Sequence, residues 1–256
     1  MKPIKTDATI LRSVDYRDSD RIFTLLTRDL GMISAMARGV RKSHKRYDGA
    51  LVPFAHIEIV VSPGAGRMWH IKEAALLQPN AALSAHLLKV SSSSYLLEIT
   101  RESIPENTPD IPLFELVLQS LEALCLAAPE SVPMLTLSAT LKLLRLSGIA
   151  IGLSRCSSCG QMVPAGRPVL FHPGRGGVIC TPCGGGPFRL EADTIGALQQ
   201  MADIRMDADE QLAFAPQTIR QCEEAVLDFI EHHLGRRLKT RTFLRQMDKL
   251  SPEGTL

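Results

Sequence analysis

No stretch of this 256-residue chain stays apolar for the roughly 18 residues that a membrane-spanning helix requires. The nearest approach, residues 112–128, carries Glu115, Gln119 and Glu122 at helical spacing, the wet face of an amphipathic helix. The opening MKPIKTDATILRSVD lacks the long apolar segment of a secretory signal. These two absences predict a cytoplasmic protein. Catalytic signatures are missing too: no Walker-type phosphate loop, no Gly-x-Ser-x-Gly and no His-Glu-x-x-His. Gly174-x-Gly176-Gly177 has no strand-to-helix setting, and the adjacent His232 and His233 point apart on a helix, which suits a metal poorly. No residue set argues for an enzyme. Beyond one duplicated cysteine motif there is no internal repeat, and there is no low-complexity tract. Cysteine itself is scarce, at six, and in a cytosolic chain paired cysteines more often bind metal or work in redox chemistry than form structural disulfides.

What is present is first of all charge, unevenly spread. The net +2 is made of opposed blocks: +5 over residues 1–80, −2 over 81–155, +3 over 156–190, −8 over 191–235 and +4 over 236–256. Such blocks suggest one basic face for a polyanion and an acidic region elsewhere.

Hydrophobic periodicity divides the chain in the same places. Short β-branched and aliphatic runs at 9–11, 21–27, 32–40, 57–61 and 67–77 are separated by turn signals at Asp29-Leu30-Gly31 and Ser62-Pro63-Gly64-Ala65-Gly66. Five strands in so short a length predict a small barrel or sandwich; residues 21–30 read almost as well as helix. From Pro79 the period becomes helical, with helices expected at 83–103, 113–126, 133–146, 194–201 and 218–234, the last stopped by Gly235. The expected organisation is α+β and multidomain. Residues 1–80 form the barrel, 81–153 and 191–256 form two parts of a helical domain, and 154–190 form a cysteine-bearing insert.

Within that insert Cys156-Ser-Ser-Cys159-Gly160 is answered by Cys180-Thr-Pro-Cys183-Gly184. A tetrahedral zinc ion needs four soft ligands about 2.3 Å away, and two Cys-x-x-Cys turns supply two thiolates each. Glycine after each pair lets the backbone leave with positive φ. Residues 169–179 read as two short strands around a Gly-rich turn, which would return the second pair to the first. A redox dithiol is the alternative, but neither pair has the βαβ setting of that chemistry. The reading is a structural zinc on Cys156, Cys159, Cys180 and Cys183, with no open position for catalysis. Cys125 and Cys222 sit on apolar helix faces as buried free thiols, and His172 is a hairpin residue rather than a ligand.

The sharper functional signal is Arg38-Gly39-Val40-Arg41-Lys42-Ser43-His44-Lys45-Arg46-Tyr47, a basic run between two strands. Arg38, Arg41, Lys42, Lys45 and Arg46 are candidate phosphate contacts and Tyr47 a candidate stacking ring. Arg12, Arg67, Trp69 and Lys72 on neighbouring strands extend this surface, although core packing is the more ordinary role for Trp69. A second basic cluster, from Arg236 to Arg241, follows Gly235.

These pieces together resemble the bacterial RecO family of recombination and DNA repair proteins over nearly the whole chain. The likeness is carried by Ala8-Thr9-Ile10-Leu11, Asp15-Tyr16, Ser19-Asp20-Arg21-Ile22, the stretch from Gly31 through Arg41-Lys42, and Gly49-Ala50-Leu51-Val52-Pro53-Phe54. Further on it is carried by residues 171–183 and by His233-Leu234-Gly235-Arg236-Arg237-Leu238-Lys239-Thr240-Arg241. The resemblance implies an N-terminal five-stranded OB-fold, a helical domain and an inserted four-cysteine zinc finger. It also implies a non-enzymatic, nucleoid-associated protein that binds single- and double-stranded DNA and anneals complementary strands. Working with RecR, it would help load RecA onto DNA coated by single-strand-binding protein. The competing expectation is a zinc-ribbon adaptor for protein contacts with no direct DNA role.

Overall fold

The computed structural model describes residues 2–40, 47, 49–64, 66–206 and 213–240. The chain forms two compact units, residues 1–126 and 127–256.

The first unit begins with five strands: β1 (Ile4–Tyr16), β2 (Asp20–Thr27), β3 (Gly31–Ala37), β4 (His56–Pro63) and β5 (Trp69–Gln78). They close into a barrel in the order β1-β2-β3-β5-β4, β4 pairing back to β1. All pairings are antiparallel except the short parallel β3–β5 contact at Ala35 with Trp69 and Met36 with His70. The pattern has period two, as a half-buried strand requires. On β2 Phe23 and Leu25 face inwards, and on β3 Ile33, Ala35 and Ala37 do; Ile57, Ile59, Val61 and Ile71 complete the interior. The alanines leave room for the larger rings within so narrow a barrel. β2, which reads ambiguously in sequence, is strand because its neighbours on both sides pair with it over its whole length.

Three helices follow: α1 (Ala82–Ala85), α2 (Leu87–Ser103) and α3 (Ile111–Leu126). The sequence pattern runs unbroken from 83, but His86 is extended (φ −123, ψ 125) and divides it. α2 is buried on most of its circumference, including Ser91, Ser92 and Ser93; small hydroxyl residues there permit close approach of its neighbours. Lys89 is buried and donates to the Cys125 carbonyl at 2.7 Å, a cation at the end of α3 where the helix dipole is negative. Glu115, Gln119 and Glu122 lie on the exposed face of α3, as their spacing predicts. The loop after α2 returns to the barrel, where Asn107 N–H donates to the Met32 carbonyl at 2.9 Å. Gly31 makes this approach possible. Its φ is +68, and a Cβ there would lie 2.3 Å from the Thr108 carbonyl oxygen.

The second unit contains α4 (Val132–Leu146), α5 (Ala192–Asp203) and α6 (Pro216–Leu234) around a three-stranded sheet of β6 (Val169–His172), β7 (Gly177–Ile179) and β8 (Phe188–Leu190), in the order β7-β6-β8. α4 grips the end of α5 through Ser138 Oγ to the Met201 carbonyl at 2.8 Å and Lys142 Nζ to the Ala202 carbonyl at 3.0 Å. Burial lowers the Lys142 pKa. On α6, Cys222, Val226, Phe229 and Ile230 are buried, and Gly235 takes the left-handed conformation that ends the helix. His233 is exposed and lies against Phe229 with ring centroids 4.0 Å apart. Burial pushes the Cys222 thiol up to about 12, so it is an inert core thiol, whereas Cys125 is only half-buried. No described helix is long and apolar enough to cross a membrane.

Candidate nucleic-acid interface and metal centre

The four cysteines of the duplicated motif meet at one point. Their sulfurs all lie within 4.8 Å of one another. Cys159 and Cys180 Sγ are 3.7 Å apart, against about 3.8 Å for the edge of a tetrahedron of sulfurs about 2.3 Å from a central ion. Local backbone geometry explains the convergence. Gly160 N–H donates to the Cys156 carbonyl and Gly184 N–H to the Cys180 carbonyl, so the two turns are alike. Both glycines have positive φ, 75° and 59°, as the motif requires. β6 and β7 form the expected hairpin and deliver Cys180 directly after β7. The first turn is stitched to the same strand by Ser157 N–H to the Val178 carbonyl at 2.8 Å.

The electrostatics suit thiolates. Cys156 is buried, and the N–H groups of Cys180, at 3.3 Å, and Ser158, at 3.4 Å, point at its sulfur. These contacts, that of Cys180 foremost, lower its pKa to about 6. Cys183, hydrogen-bonded to the thiols of Cys180 and Cys159, is pushed up to about 12. A thiol crowded by other thiols holds its proton until a cation replaces it. Arg155 donates to the Gly160 carbonyl at 3.1 Å and Arg175 to Ser158 Oγ at 3.1 Å, so two guanidinium groups flank the first turn. The cluster can hold a metal ion with all four positions filled by protein.

The basic run is only partly within view. Arg38 is exposed just after β3, and Gly39 N–H donates to Asp20 Oδ1 at 2.9 Å. Arg41, Lys42, Lys45 and Arg46 lie outside the described residues. Tyr47 requires a correction. Its side chain is 2% exposed, its ring belongs to the barrel core, and its hydroxyl donates to the Arg38 carbonyl at 3.2 Å. A ring so enclosed offers no face to a base; its charged neighbours in sequence concealed an apolar plug that fills the barrel. Trp69 is half-buried against the same core, which is its more ordinary role. Arg12, Arg67 and Lys72 are all exposed. In the second unit Arg236, Arg237 and Lys239 are exposed after α6, and Arg241 lies outside the described residues. Sequence reasoning missed the outer half of β1. That strand runs on to Tyr16, a continuation visible only as the alternation Arg12-Ser13-Val14-Asp15-Tyr16.

Comparison with known proteins agrees with this architecture. The family model for the N-terminal part of recombination protein O matches residues 1–80, and that for its C-terminal part matches residues 85–242. A DNA repair protein RecO from Anaeromyxobacter sp. (strain K) is 36% identical over 254 residues, covering 98% of this chain and 99% of that protein. RecO proteins of Myxococcus xanthus and Geobacter sulfurreducens are 33% and 31% identical, each across 96% of this chain and 99% of the relative. A closed five-stranded barrel, a helical region and a four-cysteine finger therefore stand in a chain that belongs to the RecO family of non-catalytic DNA repair and recombination proteins.

Proposed function

We propose that this protein is a recombination mediator that binds single- and double-stranded DNA and anneals complementary strands. With RecR, it helps load RecA onto DNA coated by single-strand-binding protein, in the cytoplasm at the nucleoid. The observation that carries the reading is the barrel: a closed OB-type β1-β2-β3-β5-β4 sheet from whose β3 end Arg38 leads into the basic run containing Arg41, Lys42, Lys45 and Arg46. Annealing makes and breaks no covalent bond. It needs cations that screen phosphate repulsion while bases stay accessible. Residues 1–80 serve as the nucleic-acid domain, 81–153 and 191–256 as the helical domain, and 154–190 as the finger. Cys156, Cys159, Cys180 and Cys183 hold a structural zinc ion. Four thiolates on a divalent cation leave two negative charges, and a segment with four arginines and no acid suits them.

Fluorescence anisotropy of a labelled single-stranded oligonucleotide across a salt series tests the reading. The logarithm of affinity should fall linearly with the logarithm of salt, by about 0.7 per neutralised phosphate. Replacing Arg41, Lys42, Lys45 and Arg46 by Ala should weaken binding and flatten that slope. Absence of binding at low salt would leave the adaptor reading. One observation favours that second reading: a groove of ≈ 580 Å³ between α4, α5 and the finger, lined by Leu141, Arg145, Met162, Arg167, Ile195 and Asp203. A pull-down in which partner proteins remain bound after nuclease treatment and high salt would support it.

A further inference from the structure

The outer surface of the barrel is covered over only part of its length. Thr9 and Leu11 of β1, Leu26 of β2 and Met32 of β3 are all buried, with α2 packed on β1 and the following loop bonded to Met32. Among the described residues the cover stops beyond them. The pairing of β1 with β2 shifts between Ile10 and Arg12, so Leu11 is an extra residue. A bulge of this kind changes the phase of the strand. From there Arg12, Val14 and Tyr16 pair with Thr24, Ile22 and Asp20, which alternate with the inward Phe23 and Leu25 and so share the outer face. On β3, Ser34 and Met36 stand opposite Thr24 and Ile22, and His70 of β5 stands beside Met36.

This bare face has a specific composition. An apolar strip crosses it between the polar Thr24, Ser34 and His70: Val14 is 46% and Tyr16 37% exposed, and Ile22 and Met36 are half-buried. Cations border it, Arg12 at one end and Arg38 at the other, both exposed. Arg17 lies at the β1–β2 turn with its guanidinium carbon 5.2 Å from the centroid of the Tyr16 ring, within cation–π range. It holds φ +53, a left-handed conformation that L side chains rarely adopt. The carboxylate on this face, Asp20, is engaged by Gly39 N–H at 2.9 Å and Ser19 Oγ at 3.2 Å. Asp15 faces the other side and pairs with Arg21 at 2.8 Å.

We propose that this face seats the bases of a single nucleic-acid strand, with Tyr16 as the stacking platform, Arg17 holding the ring, and Arg12 and Arg38 on the flanking phosphates. The inference rests on the DNA-binding reading and assigns it a site that Tyr47 cannot provide. Charge decides the occupant. A strip of apolar side chains between arginines, leading at Arg38 into the basic run 41–46, matches a polyanion whose flat apolar parts are exposed. A duplex hides those parts, so the platform favours single strands.

The test is anisotropy with oligo(dT) and with a duplex of the same length, at several salt concentrations, for the wild-type chain, Tyr16→Leu and Tyr16→Phe. Tyr16→Leu should bind oligo(dT) about 5- to 150-fold more weakly, from the range for one stacked base, with its salt slope unchanged. Tyr16→Phe should bind as wild type, and duplex binding should hardly change. Tyr16→Trp adds an indole whose emission oligo(dT) should quench beyond any change at Trp69, the single native tryptophan. Circular dichroism confirms that each variant is folded. Wild-type oligo(dT) affinity in Tyr16→Leu, or equal loss for single strand and duplex, would overturn the platform. Unquenched indole would do the same, and so would intact DNA binding with loss of a bound protein. A wild-type chain that binds no oligo(dT) at low salt would instead overturn the DNA-binding reading beneath it.

Discussion

The barrel and the four-cysteine finger are both small β structures, yet they hold their shapes by different physics. Around the barrel axis Phe23, Leu25, Ile33, Ile57, Ile59, Val61 and Ile71 exclude one another's surface from water, and strand pairing closes without an edge. The finger's two turns contain no comparable side chain. Ser157, Ser158, Thr181 and Pro182 are exposed, and what fixes them is N–H···S contacts, backbone bonds and the meeting of four sulfurs. The difference teaches where each region fails. A barrel fails through its core, and a finger through its ligands.

The largest effect should therefore come from metal removal. Structural zinc in small fingers contributes apparent binding energies of about 10–16 kcal/mol. Cys156→Ser, or strong chelation, should abolish bound metal and open residues 150–190 to protease, while amides of Phe23, Leu25 and Ile57 keep their hydrogen-exchange protection. Loss of that protection would show that finger and barrel are one cooperative unit. The converse cut is Phe23→Ala. A fully enclosed phenylalanine truncated to alanine costs about 3–5 kcal/mol. Denaturant unfolding should show the barrel destabilised by that amount while metal content by atomic absorption stays at one ion per chain.

Glycines sharpen the contrast by adding one methyl group in each region. Gly31→Ala places a Cβ 2.3 Å from the Thr108 carbonyl oxygen at φ +68, and Gly177→Ala places one 2.1 Å from the Gly152 carbonyl oxygen at φ +152. Each should cost on the order of 1–3 kcal/mol. Gly31→Ala should lower the melting midpoint of the barrel unit. Gly177→Ala should weaken metal retention against a competing chelator, although no ligand has been touched. An unchanged chelator titration would mean that the sulfurs, not the β7 contact, set the finger's geometry.

How much of this was legible in the sequence follows the same division. The barrel strands showed because period two and turn residues are local signals, and the finger showed because ligand spacing is local too. Contacts between distant segments left no such trace. The Gly31 turn could be read, but not that Thr108 presses on it. The break at His86 was hidden inside an unbroken apolar period. Tyr47 was misjudged because a charged run masks one residue turned inwards, and the outer half of β1 because Arg12 and Asp15 interrupt its apolar character. Both errors concern the candidate site. A binding surface alternates charge with exposed apolar groups, the pattern that periodicity alone reads as loop.

The smallest predicted effect lies at the edge of the barrel's bare face. Asp20 joins the β1–β2 turn to the start of the basic run by accepting the Gly39 N–H, and that bond holds its carboxyl below the ordinary carboxylate range. A depressed folded-state pKa contributes stability that is present above the unfolded value of about 3.9 and is lost as pH falls through the folded value. Because the group is solvent-accessible, the contribution is local rather than global. Asp20→Asn should leave the melting midpoint within about 1 °C at neutral pH. In the wild-type chain the Gly39 amide resonance should move as pH falls below about 4, and in Asp20→Asn that movement should vanish. A Gly39 resonance that titrates identically in both would show that the basic run is set by its own sequence and not by the hairpin beside it. The Tyr16 face and the 41–46 run would then act as separate surfaces.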